Sequence, residues 1–148
     1  MRLDQQACRD RMTAARVGYL ATVGADRQPH IVPVTFAVLD DRIVTSIDHK
    51  PKSTTKLRRL RNIAENPAVA VLCDHYDDDW QRLWWVRADG AARMVDDKTM
   101  RERAVSALVA KYPQYVDDPP NGPVLVVTIK SWTGWQYGDQ AGFGGRPP

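Results

Sequence analysis

The sequence predicts a single-domain, mainly β protein: a small antiparallel barrel with short helices at its ends. Runs rich in β-branched and aromatic residues recur at 17–23, 31–39, 43–47, 68–73, 80–95 and 124–132, separated by turn residues. Segments of helical period stand among them at 4–16, 53–66 and 97–111. The length of 148 residues, 43% hydrophobic and 26% charged, is ordinary globular composition and suits one domain with a sizeable core.

Asp4 to Arg16 reads as an amphipathic helix, with Leu3 and Ala7 on one side and Cys8, Met12 and Ala15 on the next. The N-terminus has no apolar leader core, and no stretch approaches the roughly 18 apolar residues of a membrane span, so a cytoplasmic protein is expected. Cys8 and Cys73 are too sparse for a disulfide framework and read as reduced, buried thiols. Val17 to Val23 is a first strand, 24–27 a turn, Ile31 to Leu39 a second strand, Asp40-Asp41 a tight turn, and Ile43 to Ile47 a third. These predict a three-strand antiparallel meander. Pro33 cannot donate to a ladder, which implies an edge position, or a backbone that faces a flat ligand.

The stretch Asp48 to Pro67 gathers six basic side chains between positions 50 and 61 around the start of one helix. Ser53 and Thr54 are good N-caps; Leu57, Leu60, Ile63 and Ala64 recur at helical spacing; Asn66-Pro67 stops the helix. Lys52, Lys56 and Arg59 border the apolar stripe, while Arg58 and Arg61 fall on the far side. Unpaired N–H groups and a partial positive charge at a helix start, joined by Lys50, Lys52 and hydroxyls, make a receptor for phosphate. A solvated basic face is the other reading of the same residues. Nucleic-acid contact is a weaker one, because no aromatic is interleaved with the charges.

Ala68 to Cys73 is nearly all apolar and is expected to be buried on both faces. Asp74 to Asp79 reads as a solvated acidic turn, lacking the spacing of a metal motif. In Trp80 to Val95, period two puts Leu83, Trp85 and Arg87 on one face and Trp84, Val86 and Ala88 on the other, so both faces need cover; Gly90 suggests a bulge. Asp97 to Lys111 is a helix with Met100, Ala104, Leu108, Val105 and Val109 inward. An irregular loop leads to a final strand, Val124 to Trp132, and a Gly- and Pro-rich tail, begun at Gly134 by composition and bounded as 136–148, closes the chain as a mobile end or an arm laid across a partner.

Gly18 to Thr22, Pro29 to Phe36, Lys50 to Lys56, Asn62 to Ala70, and Asp79 to Arg87 with Gly90-Ala91-Ala92 occur in an order and spacing that carry a resemblance. The chain resembles the pyridoxamine-phosphate-oxidase-like split β-barrel superfamily, and within it the B group of flavin/deazaflavin oxidoreductases that use coenzyme F420. The resemblance implies an FMN-binding-like split barrel, a homodimer with the cofactor in a groove between subunits, and no nucleic-acid or membrane partner. It further implies Lys50, Lys52, Ser53, Thr54, Lys56 and Arg59 as phosphate and tail contacts. Pro33, Val34 and Thr35 would lie under the ring with Ile47 nearby, and Trp80 and Trp135 would complete the cofactor contacts, Trp135 as an aromatic wall from the second subunit.

The function so implied is hydride transfer between reduced coenzyme F420 and a small organic substrate. The cofactor brings the chemistry, so no catalytic side chain is assigned. The alternatives are an FMN-dependent enzyme of the same fold and a non-catalytic deazaflavin or heme binder. His30 and Tyr76 are candidate proton donors, but the simpler expectation is a hydrogen-bonded structural His30 and a packed Tyr76.

Overall fold

The computed structural model describes the backbone of residues 1–47 and 54–138 and the side chains of 1–47 and 58–138. The described chain contains helices α1 (Gln5–Ala14), α2 (Thr54–Glu65) and α3 (Lys98–Lys111). Its strands are β1 (Gly18–Val23), β2 (Pro29–Val34), β3 (Ala37–Leu39), β4 (Arg42–Ser46), β5 (Ala68–His75), β6 (Trp84–Met94) and β7 (Val124–Gln136). They form one curled antiparallel sheet in the order β2-β1-β5-β6-β7-β4-β3.

That order corrects the expected meander. The run Ile31 to Leu39 divides at Thr35-Phe36: β2 pairs with β1 at one edge of the sheet, whereas β3 pairs with β4 at the other. Side chains satisfy the backbone at the break. The Phe36 N–H donates to the Tyr112 hydroxyl at 3.0 Å, and Thr45 Oγ1 donates to the Thr35 carbonyl at 2.6 Å. The Phe36 ring is fully buried and anchors the crossing.

Two apolar clusters fill the molecule. In the larger, Leu20, Phe36, Ile43, Val71, Val86 and Leu125 from the inner sheet face meet Cys8 and Met12 of α1 and Ile63 of α2. In the smaller, Met100, Ala104 and Leu108 of α3 pack on Val44, Val124 and Val126. Both helices start where expected, Asp4 accepting from the Ala7 N–H at 2.8 Å and Asp97 from the Met100 N–H at 3.1 Å. Helix α1 lies close on β7 because position 134 is glycine; a Cβ there would stand 2.5 Å from Cys8 Sγ. Both cysteines are free and buried, as expected.

The register of β6 against β7 shifts between Asp89 and Gly90, and a Cβ at Gly90 would run into the Thr128 carbonyl, so the predicted bulge is present and needs its glycine. Strand β5 is not buried on both faces: Val69, Val71 and Cys73 point inward, while Ala70 and Leu72 are half-buried and Ala68 is exposed. In β6, Val86 and Ala88 face the core and Arg87 faces out, with Trp84 and Trp85 each half-buried. Leu83 is buried but lies outside that alternation, after a 3-10 turn at Trp80–Arg82. Strand β7 is longer than predicted. Gly134, Trp135 and Gln136, whose composition suggested tail, pair with Val86, Trp85 and Trp84, and residues 139–148 lie outside the described residues. Among the described residues no helix is long and apolar enough to cross a membrane.

Candidate functional site

Helix α2 lies across the β1–β2 end of the sheet with Ile63 in the core and Leu60 packed against it. Its polar residues make an ordered corner with the β1–β2 hairpin. Asn62, 1% exposed, donates from Nδ2 to Thr22 Oγ1 at 3.1 Å and accepts from Arg58 Nε at 3.3 Å. Arg58 pairs with Asp26 at 2.8 Å, Glu65 accepts from the Ala25 N–H at 2.6 Å, and Arg61 stands 3.8 Å from Glu65. The acidic groups of the corner are therefore engaged. Arg58, expected on the far side of the helix, reaches the hairpin turn instead.

Two nitrogen atoms in this corner have no hydrogen-bond partner among the described residues although they are shielded from solvent: Nε of Arg59 and Nδ1 of His30. Arg59 is 8% exposed, makes no ion pair among the described residues, and is pushed below its usual pKa by burial. His30 stands opposite Thr22 in the β1–β2 register, on the same face of β2 as Val32 and Val34. Loss of hydration, then the positive charges of Arg58 and Arg59, lower its pKa. The expectation of a hydrogen-bonded His30 is thus corrected at Nδ1: the charged neighbours offer it no acceptor, and the Asn62 amide is spent on Thr22. Tyr76 is corrected as well, being more than half exposed beside the β5–β6 turn rather than packed.

Of the predicted site residues, Lys50, Lys52 and Ser53 lie outside the described residues. Thr54 opens α2 and Lys56 lies in its first turn, with side chains outside the described set. Arg59 is in the corner. Pro33 sits on the exposed face of β2, the end strand of the sheet, opposite Tyr19 and on the other face from His30. The edge reading of Pro33 is therefore correct. Val34 and Ile47 turn into the core. Thr35 Oγ1 lies 2.8 Å from the Tyr115 hydroxyl. Trp80 is 58% exposed at the start of the 3-10 turn, and Trp135 pairs across from Trp85 with its ring edge-on to Tyr137 at 6.5 Å. The structure brings Arg59 and His30 together at one end of β2, and leaves Trp80 and Trp135 near the β5–β6 turn.

At that turn His75 Nε2 lies 2.8 Å from Asp77 Oδ2, and Asp77 also receives the Asp79 N–H at 2.8 Å and stands 3.7 Å from Arg82. The His75 hydrogen bond holds the Asp77 carboxyl below its usual range. An open cavity of about 390 Å³ adjoins it, lined by Arg11, His75, Arg82, Trp84 and Gln136 among others. Arg11 donates to Gln136 Oε1 at 2.7 Å and lies 5.0 Å from the Trp84 ring.

Comparison with known proteins places this architecture. The 5a,11a-dehydrotetracycline/5a,11a-dehydrooxytetracycline reductase of Streptomyces rimosus is 38% identical over 63 residues, and the match spans 43% of this chain and 43% of that protein. A conserved hypothetical protein from Mycobacterium tuberculosis superposes with a TM-score of 0.73 at 24% identity, over 97% of this chain and 93% of the other. An FAD binding protein from Mycobacterium smegmatis superposes with a TM-score of 0.68 at 20% identity, over 93% and 98%. The curled sheet is thus the expected split β-barrel. Residues 4–136, from the cap of α1 to the end of β7, match the family model for pyridoxamine 5'-phosphate oxidase, and the chain belongs to that family.

Proposed function

We propose that this protein is a cytoplasmic, homodimeric oxidoreductase that binds coenzyme F420 and transfers a hydride between it and a small organic substrate. The observation that carries the reading is the buried guanidinium of Arg59 with its unpartnered Nε. A buried donor without an acceptor costs about 1–3 kcal/mol, and more when charged, so the site is built for an acceptor from outside the chain. A phosphate or phosphodiester fits: Arg59 and His30 stand beneath, the first turn of α2 adds backbone N–H groups, and Lys50, Lys52, Ser53, Thr54 and Lys56 adjoin in sequence.

When bound, the reduced deazaflavin supplies the hydride. The protein's share is to bind, orient and exclude water. Pro33 has no N–H to leave unpaired, so the edge of β2 can lie against a flat ring without losing a hydrogen bond. Trp80 and Trp135 would add aromatic contacts to the cofactor, Trp135 from the second subunit. The second subunit covers the outer face of β2, β1, β5 and β6, where Ile31, Pro33, Tyr19, Leu72 and Trp85 make an apolar surface. The relative from Streptomyces rimosus is named a reductase, which supports the reaction class.

A flavin, FMN or FAD, is the second reading. Two observations favour it: the described part of the corner holds cations for a single phosphate, and the similar protein from Mycobacterium smegmatis is named FAD binding. The test is titration of the purified apo protein with coenzyme F420, FMN and FAD, followed by cofactor fluorescence at low and moderate salt. Micromolar or tighter, salt-sensitive binding of the deazaflavin that Arg59→Met weakens tenfold or more is expected. Binding of a flavin alone would transfer the assignment to that cofactor; binding of none would end the oxidoreductase reading.

A further inference from the structure

We propose that His30 and Arg59 together form a corner for one oxyanion under α2, and that His30 takes up a proton as the oxyanion enters, so that binding tightens in mild acid. The inference rests on the Arg59 reading above and adds a residue to it. The two orphaned nitrogens flank one contact: His30 is the cross-strand partner of Thr22 on the inner face of β2, Thr22 accepts from Asn62 of α2 at 3.1 Å, and Arg59, three residues before Asn62, is near enough for its charge to reach His30.

Among the described residues, the polar groups around His30 are already engaged. From β1, Thr22 accepts the Asn62 amide at 3.1 Å. From α2, Arg58 is neutralised by Asp26 of the hairpin turn at 2.8 Å, and Glu65 holds the Ala25 N–H with Arg61 alongside. Arg59 is left as a positive charge without an ion-pair partner among the described residues. An ion of one or two negative charges would balance it and accept from its Nε.

The same ion reverses the environment of His30. Before it enters, burial and the arginines hold the imidazole neutral at pH 7. With an oxyanion between the two side chains, both ring nitrogens of a protonated His30 can donate, and the nearby negative charge favours that form by about one to two pKa units. Proton uptake and ion binding are then linked, so affinity rises about tenfold or more as pH falls through the interval between the free and bound values.

Sulfate is the probe, because its charge does not change between about pH 5 and 8. The intact chain, carrying three histidines, is titrated by NMR on the histidine C2 resonances with and without sulfate. His30→Gln assigns the signal, and if that variant does not fold, His75→Gln and His49→Gln assign it by elimination. The His30 midpoint is expected below 6.5 without sulfate and about one unit higher at saturation, and Arg59→Met is expected to remove the rise. A midpoint that saturating sulfate leaves unmoved, or a rise that survives in Arg59→Met, overturns the proposal. FAD, whose pyrophosphate also keeps its charge over this range, and coenzyme F420 separate this inference from the cofactor reading. A cofactor bound equally by wild type and His30→Gln at pH 5.5 and 8 removes His30 from the site and leaves the oxidoreductase intact. Sulfate that moves His30 while no cofactor binds keeps the corner and overturns the cofactor.

Discussion

Lys111 ends α3 with its amine over an aromatic ring, Nζ lying 3.9 Å from the centroid of Phe36 and 5.3 Å from that of Tyr112, with no hydrogen-bond partner. Burial, and to a smaller extent the charge of Arg16, draws its pKa from 10.5 to about 8, with Cys73 opposing. At 1.36 kcal/mol per unit this bounds the penalty of the buried charge at ~3 kcal/mol. Screening of a half-buried side chain reduces it to about 1–2 kcal/mol, and the two rings return about 0.5–1 kcal/mol. Lys111→Met keeps the stem on Phe36 and removes the charge. It is expected to stabilise the protein at pH 7 by about 1 kcal/mol, or about 2–4 °C in Tm. The folded pKa lies below the unfolded one, so the penalty is complete below pH 8 and disappears as pH rises to 10.5. Wild type should therefore draw level with Lys111→Met across that interval in urea unfolding. Cys73 acts in the opposite direction, its thiol raised from 9.0 to about 12 by burial, so both proteins lose stability above pH 9; the loss is somewhat greater in Lys111→Met, which lacks the charge that lowers that thiol, and this adds to the convergence. A variant less stable than wild type at pH 7, or a gap unchanged between pH 7 and 10, would refute the reasoning.

Tyr112→Phe removes the hydroxyl that receives the Phe36 N–H at 3.0 Å and lies 3.0 Å from the carbonyls of Arg16 and Phe36, one of which takes its proton. A buried N–H is left without an acceptor, and a loss of about 2 kcal/mol is expected in the urea midpoint; a loss below 0.5 kcal/mol would mean water replaces the hydroxyl. Ile31 is 63% exposed on the outer face of β2, and Ile31→Asp is expected to convert a dimer into a folded monomer in sedimentation velocity. A wild type that sediments as a monomer at micromolar concentration would defeat the homodimer reading.

Much of the fold is legible because its signals are local. Asp4 and Asp97 cap helices whose inner faces repeat at helical spacing, Asn66-Pro67 ends α2, and Gly90 announces the bulge. Strand neighbours are a different matter. Nothing within Ile31 to Leu39 marks a break, since the groups that satisfy the backbone at Thr35 and Phe36 come from Tyr112 and Thr45. Composition misleads at Gly134, where a residue typical of mobile tails is required by the approach of Cys8.

The site shows the same division. Helical spacing puts Arg59 beside the apolar stripe, which allows either a stem lying along the surface or a head drawn beneath it. In the structure the hairpin engages the helix through Asp26 with Arg58 and Thr22 with Asn62, and the head of Arg59 is drawn beneath. The place of His30 is legible in the sequence. Period two along β2 puts it on the inner face with Val32 and Val34, where an imidazole without a nearby acceptor is a question in itself.

The crossing at Thr35-Phe36 ties these observations into one cause. If Ile31 to Leu39 ran as a single strand between its neighbours, both edges of β2 would be engaged in pairing and Pro33 would interrupt a ladder. Because Phe36 is pulled into the core and held by Tyr112, β2 ends at Val34 as the terminal strand of the sheet, paired among the described residues with β1 alone. One edge of its backbone is then free, Pro33 is tolerated there, and its inner end carries His30 to the underside of α2. Phe36, buried beneath the Lys111 amine, thus decides both which strand is left open and which titratable group is carried toward Arg59. Sulfate titration should therefore find binding by a folded Tyr112→Phe variant weakened only as far as the crossing shifts β2, whereas changes at His30 or Arg59 should weaken it with the urea midpoint unmoved.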